Sequence, residues 1–155
     1  MNAALATATA LLADYAACID ADELARWPGF FTEDAHYKIT TAYNHAQKLP
    51  VGLIYAYNRA MLEDRVTALR TANIYEPQRY RHIVSASRIT DADDTAICAE
   101  TGFIVVRIMH DGVSELFATG RYLDVIDLTG EQPLFQEKIV VLDSDKVDTL
   151  LAIPI

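Results

Sequence analysis

The chain is short of cysteine, glycine, basic charge and long apolar runs, and each shortage excludes something. Its 155 residues hold two cysteines, Cys18 and Cys98. That is too few for a disulfide framework, and both have apolar neighbours, so both are expected to be reduced core thiols of a cytoplasmic protein. The six glycines are scattered, without the clustering of a phosphate-binding loop. Thirteen Lys and Arg face 22 Asp and Glu, for a net charge of −9. Such a surface suits neither nucleic acid nor an anionic membrane. No run approaches the ~20 apolar residues of a membrane span. The N-terminal stretch carries Asp14 and lacks a basic region, so no signal peptide is expected.

Metal donors are also missing in any recognisable pattern. The histidines are His36, His45, His82 and His110. No two have ligand-like spacing, and neither cysteine lies near a histidine. A Rieske iron–sulfur site needs two cysteines each closely followed by histidine, and neither Cys18 nor Cys98 is.

What is present is apolar residue in good supply, 52% of the chain. That is high for a solvated monomer, so part of this surface is expected to lie against other subunits. Residues 1–155 read as one domain. Leu5, Ala8, Leu12, Tyr15 and Ile19 recur at three and four, which predicts a helix over 2–19. Asp20 with Glu23 predicts the capped start of a second short helix burying Leu24 and Trp27. A strand is expected around 36–41, a loop over 44–50 and a short strand within 51–57. A central helix over 59–72 buries Leu62, Val66 and Leu69, with Arg59 and Glu63 four apart and able to pair. A loop over 73–79 follows. The pattern then turns to strands at 81–90, 95–110, 114–128 and 134–143, with Asp111-Gly112 as a hairpin signal. The tail 146–151 could form one helical turn. Helices followed by an antiparallel meander give an α+β fold. Strands this long curl, so the sheet is expected to be strongly bent into a cone closed by helices, cystatin-like or nuclear-transport-factor-like.

The stretch 59–82 stands out. It holds five arginines against three acids in an otherwise acidic chain. Either these arginines pair internally or they face the carboxylates of another chain. Tyr55, Tyr57, Tyr75 and Tyr80 flank them, and Tyr with Arg is the pairing enriched at protein interfaces. A cone also has an interior, so catalysis must be weighed. Asp34 or His36 with His82 is the best acid–base candidate, for an isomerase or dehydratase. A non-catalytic ligand-binding module is a third reading.

Read in order, the segments Trp27-Pro28-Gly29-Phe30-Phe31-Thr32-Glu33-Asp34, Met61-Leu62-Glu63-Asp64-Arg65-Val66, Arg79-Tyr80-Arg81-His82, Phe117-Ala118-Thr119-Gly120-Arg121-Tyr122-Leu123-Asp124 and Glu137-Lys138-Ile139-Val140-Val141-Leu142-Asp143 resemble the small (β) subunit of aromatic-ring-hydroxylating Rieske dioxygenases. Ser87 departs from the family, standing where many relatives carry Asn. The resemblance implies a non-catalytic, structural small subunit with the bent-sheet fold. It implies no cofactor in this chain. The [2Fe-2S] Rieske cluster and mononuclear Fe(II) are expected in the large (α) subunit, in an alternating hexamer with three of each chain. A separate reductase would supply electrons from NADH or NADPH. Ala72-Asn73-Ile74-Tyr75-Glu76, Tyr80-Arg81-His82-Ile83 and Arg107-Ile108-Met109-His110 point within the family to terephthalate as substrate, with salicylate and related aromatic acids as the alternative. Arg65, Tyr75, Arg79, Tyr80, Arg81 and His82 are the candidate structural or subunit-interface residues.

Overall fold

The computed structural model describes residues 2–50, 52–71, 76–146, 151 and 153–155. Helix α1 (Asn2–Asp20) buries Ala8, Leu12, Tyr15, Cys18 and Ile19. These recur at helical spacing, so one stripe meets the sheet. By length and composition alone α1 is apolar enough to cross a membrane. The expectation that no run reaches that length is therefore corrected. Its apolar stripe is nevertheless spent on the core.

No second helix starts at Asp20. Glu23 N–H donates to the Cys18 carbonyl at 3.0 Å and Asp22 N–H to the Ile19 carbonyl at 3.0 Å, with Asp22 left-handed at φ 59°. This is a Schellman close, with aspartate where glycine is usual. Arg70 offsets the cost of that conformation by donating to the Asp22 carbonyl at 2.9 Å and to its carboxylate at 3.0 Å. The turn that follows still buries Leu24 and Trp27 completely. It leads through a 3-10 turn, Trp27–Phe30, into β1 (Phe31–Thr41).

The expected loop after β1 begins instead with a short helix, α2 (Ala42–Ala46), because the Thr41 hydroxyl caps the Asn44 N–H. Strand β2 (Ile54–Ala56) and helix α3 (Arg59–Thr71) follow. Asn58 starts α3 by accepting from Met61 N–H at 2.9 Å. Leu62 and Leu69 are buried in α3, and Val66 is partly so. The Arg59–Glu63 pair does not form. Arg59 Nε donates to the Phe31 carbonyl at 3.0 Å instead.

The strand expected over 81–90 is two strands, β3 (Gln78–Val84) and β4 (Arg88–Ala92). Between them Ser85 N–H still donates to the Gly102 carbonyl at 2.9 Å, and hydroxyls make the remaining links to the neighbouring strand. Gly102 N–H donates to Ser85 Oγ at 3.0 Å, and Ser87 Oγ lies 2.7 Å from Thr101 Oγ1. Strands β5 (Ala96–Met109), β6 (Ser114–Asp127) and β7 (Leu134–Leu142) complete the sheet. Gly112, at φ 87°, makes the turn between β5 and β6. Part of the loop over 73–79 and of the tail over 146–151 lies outside the described residues.

The seven strands run in the order β2-β1-β7-β6-β5-β3, with β4 also on β5. All neighbours are antiparallel except β1 and β7, which are parallel. The sheet is therefore mixed rather than antiparallel. The first and last strands meet across nearly the whole chain, and strand patterning carries no direction for so distant a pair. Helices α1 and α3 pack on one face, where the inward residues of the strands form the core. Cys98 lies on the opposite face, half-buried, because its neighbours Ile97 and Ala99 take the inward positions of β5.

Gly120 sits opposite Phe103 and Leu142. A Cβ there would run into the Val141 carbonyl group and come within 3.1 Å of Leu142 Cα. Backbone cannot yield as a side chain does. Gly120→Ala is expected to cost about 3 kcal/mol, read as a lowered midpoint in urea unfolding.

Candidate functional site: a filled interior and an arginine edge

Two buried polar centres and one exposed edge carry the chemistry of this fold. The first centre joins the end of α1 to β3. The Asp20 carboxylate accepts from the His82 backbone N–H at 2.9 Å and lies 2.6 Å from His82 Nδ1. A carboxylate only accepts, so Nδ1 carries the proton in this pair. The His82 side chain is fully buried and Asp20 nearly so. Arg81 approaches the same carboxylate at 3.8 Å. His82 Nε2 is buried with no hydrogen-bond partner among the described residues. Asp20 thus satisfies a backbone donor that β3, at the edge of the sheet, would otherwise present to other strands.

The second centre was not singled out by sequence reasoning. Lys138 and Asp124 face each other directly across β7 and β6. The Lys138 ammonium donates to both Asp124 oxygens, at 3.1 and 3.2 Å, and both side chains are fully buried. The ammonium also lies 3.8 Å from the Tyr122 ring centre, 4.2 Å from Phe135 and 4.5 Å from Tyr15. Burial pushes the Asp124 carboxyl up from its ordinary value and the Lys138 ammonium down, while each charge partly holds the other in place. Both directions mean that dehydrating the pair costs the fold and mutual attraction returns part of that cost. The signal was present in the sequence. Asp124 shares its strand face with Tyr122 and Ile126, and Lys138 with Val140, so each is a charge on an apolar face.

Beside this pair the C-terminal residues enter the core. Ile153 and Ile155 are buried. The Ile155 carbonyl accepts from the Tyr15 and Tyr37 hydroxyls, each at 2.9 Å, and Ile155 N–H reaches the Tyr37 hydroxyl at 3.3 Å. Burial raises the pKa of both phenols, keeping them neutral donors. The opening near Phe117, Leu142, Leu151 and Ile155 measures about 20 Å³, room for about one water. A cavity of about 790 Å³ lies elsewhere, on the surface between α1, α3 and the 132–134 turn.

The sequence-predicted residues separate by face. Tyr80 and His82 point inward, and Tyr80 stacks on Phe117 at 5.2 Å. Arg79 and Arg81 point outward and are exposed. Arg65 Nη2 donates to the Leu151 carbonyl at 3.0 Å, so it holds the tail. Tyr75 lies outside the described residues. Of the five arginines in 59–82, Arg59 and Arg65 bind carbonyls, Arg70 binds Asp22 and Arg81 approaches Asp20. Arg79 has no ion-pair partner among the described residues. Internal pairing therefore accounts for most of the basic island.

The proposed acid–base pair does not assemble. His36 and Asp34 are exposed on β1, with His36 against the rings of Tyr55 and Tyr57. Strands β7, β6 and β5 separate them from His82 on β3. Nor do the donors fit a metal or cluster. Among the described residues no three His, Cys, Asp or Glu converge, the Cys18 thiol donates to the Glu23 carbonyl, and Cys98 lies on the other face of the sheet.

Lys138→Met should leave Asp124 buried and unpaired, destabilising the chain by about 3–5 kcal/mol. Adding Asp124→Leu should return most of that loss. Urea unfolding of the two single variants and the double variant measures the coupling.

Residues 15–149 match the family model described as ring hydroxylating beta subunit. The chain is 47% identical to the terephthalate 1,2-dioxygenase terminal oxygenase component subunit beta 1 of Comamonas sp. over 92% of this chain and 93% of that one. It is 40% identical to the anthranilate 1,2-dioxygenase small subunit of Burkholderia cepacia, over 91% of this chain and 88% of that one. A crystal structure assigned as the β subunit of an aromatic-ring-hydroxylating dioxygenase from Novosphingobium aromaticivorans superposes with a TM-score of 0.91 at 31% identity. It covers 99% of this chain and 98% of that one. With the expected motifs in order, the nuclear-transport-factor-like fold in place and these matches spanning nearly its whole length, the chain belongs to the ring-hydroxylating dioxygenase β-subunit family.

Proposed function

We propose that this chain is the non-catalytic small subunit of a Rieske non-haem iron dioxygenase that cis-dihydroxylates terephthalate. The observation that carries the non-catalytic part is the filled interior. A cone-fold enzyme keeps its substrate cavity inside the sheet, and here Tyr15, Tyr37, Ile153, Ile155 and the Lys138–Asp124 pair occupy that space. The acid–base groups an isomerase or dehydratase would need stand on separated strands. The substrate rests on the 47% identity to the Comamonas terephthalate subunits. The anthranilate relative at 40% keeps other aromatic acids, salicylate among them, as the second reading.

On this reading the chain's own work is mechanical. It offers large subunits a rigid surface so that their redox centres are held in a fixed relation. The Rieske cluster and mononuclear iron belong to the large subunit and supply electron transfer and oxygen activation there. A reductase delivers electrons from NADH or NADPH. The assembly is cytoplasmic, with three copies of each chain alternating.

Co-expression with the large subunit tests the reading. A complex of three and three by mass measurement is expected, oxidising terephthalate faster than salicylate or anthranilate when reductase and NADH are supplied. This chain alone should turn over none of them. Failure to co-purify with any Rieske large subunit would sink the proposal. Preference for salicylate would correct only the substrate.

A further inference from the structure

We infer that residues 153–155 fill a latent ligand site inside the cone, one that a small aromatic carboxylate can enter by displacing them. The donors around these residues carry the inference. Two buried phenols, Tyr15 on α1 and Tyr37 on β1, aim their hydroxyls at one acceptor, the Ile155 carbonyl, each at 2.9 Å. Arg65 on α3 donates to the Leu151 carbonyl at 3.0 Å, and its Nε is buried with no hydrogen-bond partner among the described residues. Burial raises the pKa of the Tyr37 phenol and the Arg65 charge works against that rise, so the guanidinium lies near the same hydroxyl. Two helices and a strand thus bring three donors to one irregular stretch of chain. None of these groups belongs to another chain, so the inference stands apart from the subunit role.

The donor set selects the ligand. A backbone carbonyl is a neutral acceptor. A carboxylate brings a full charge and a second oxygen, so it draws stronger hydrogen bonds from phenols and a guanidinium, and the unused Arg65 Nε–H can serve that second oxygen. Lys138 and Asp124 neutralise each other, so that pair leaves no net charge to repel an anion. The walls beside Ile155 are aromatic, with Tyr15 and Tyr37 on one side and Phe117 on another. Ile153 and Ile155 are both buried, and their side chains together are comparable in bulk to one benzene ring. The ring of benzoate can therefore take their place while its carboxylate takes that of the Ile155 carbonyl. An opening of about 20 Å³ already borders Phe117, Leu142 and Ile155, and the segment can leave on that side. While residues 153–155 sit in the site, they lower the apparent affinity by the fraction of time the site is vacant. Weakening their anchor raises that fraction and leaves the donors untouched.

Ile155→Ala in the full chain tests the site, by calorimetric titration with benzoate. One benzoate per chain is expected, bound roughly tenfold or more tightly than by the wild-type chain. Toluene has the ring without the acceptor and acetate the acceptor without the ring, so each should bind more weakly than benzoate by a similar factor. Adding Arg65→Met should remove the preference for benzoate over toluene. If Ile155→Ala does not fold, Ile155→Val, which loses a single methylene, should show a smaller gain in the same direction. In the wild-type chain, saturating benzoate should speed hydrogen exchange of the Ile155 amide, whose N–H now reaches the Tyr37 hydroxyl at 3.3 Å. Folded variants that bind no benzoate overturn the inference. So does toluene binding as tightly as benzoate, which would show only an apolar hole left by the substitution. Unchanged exchange at Ile155 under saturating benzoate overturns it as well. Each of these failures leaves the small-subunit reading standing.

Discussion

Helices cover only one face of the seven-stranded sheet, and the rest of the structure follows from that constraint. The inner face must bury everything the strands point at it, including the charged Lys138 and Asp124. The outer face must find its cover elsewhere or remain exposed. A chain with half its residues apolar cannot satisfy both faces from its own helices. It fills the inside with aromatic rings and its own C-terminal residues, and leaves aliphatic side chains outside.

The filled interior is what supports the proposed non-catalytic role of this chain. Tyr15 and Tyr37 spend their hydroxyls on the Ile155 carbonyl, and Arg65 spends part of its guanidinium on Leu151. Asp20 similarly spends both carboxylate oxygens on His82. These are polar groups used to pin segments together. Each links an irregular stretch to a regular element: a tail to a helix and strand, or a helix end to an edge strand. The product is stiffness, which suits the structural role proposed for this chain.

Much of this architecture was legible. The stripe of Leu5, Ala8, Leu12, Tyr15 and Ile19 gave α1, although Leu5 is exposed, and the meander from β5 to β7 read correctly because its turns carry their own residue signals. The ordered motifs pointed to the family. The misreadings have physical causes. Asp20 followed by Glu23 looks like a helix start, but Asp22 in the left-handed conformation makes the same residues a helix end. Residues 81–90 look like one strand, but regular pairing lapses over 85–87, where the Ser85 and Ser87 hydroxyls bond to Gly102 and Thr101. The arginine island was visible as composition, yet its partners were not, because Phe31, Leu151 and Asp22 are far away in sequence.

Local periodicity, capping residues and turn chemistry are properties of neighbouring residues, so the sequence by itself determined α1, α3, most strands and the family. Direction and partnership between distant segments depend on how those elements pack. Only the tertiary structure decided that β1 runs parallel to β7, that Asp20 belongs to His82, and that Lys138 and Asp124 meet inside an aromatic cage. The same packing sorted the basic stretch. It turned Tyr80 and His82 inward as structural groups and left Arg79 and Arg81 outside, because adjacent residues of a strand face opposite ways.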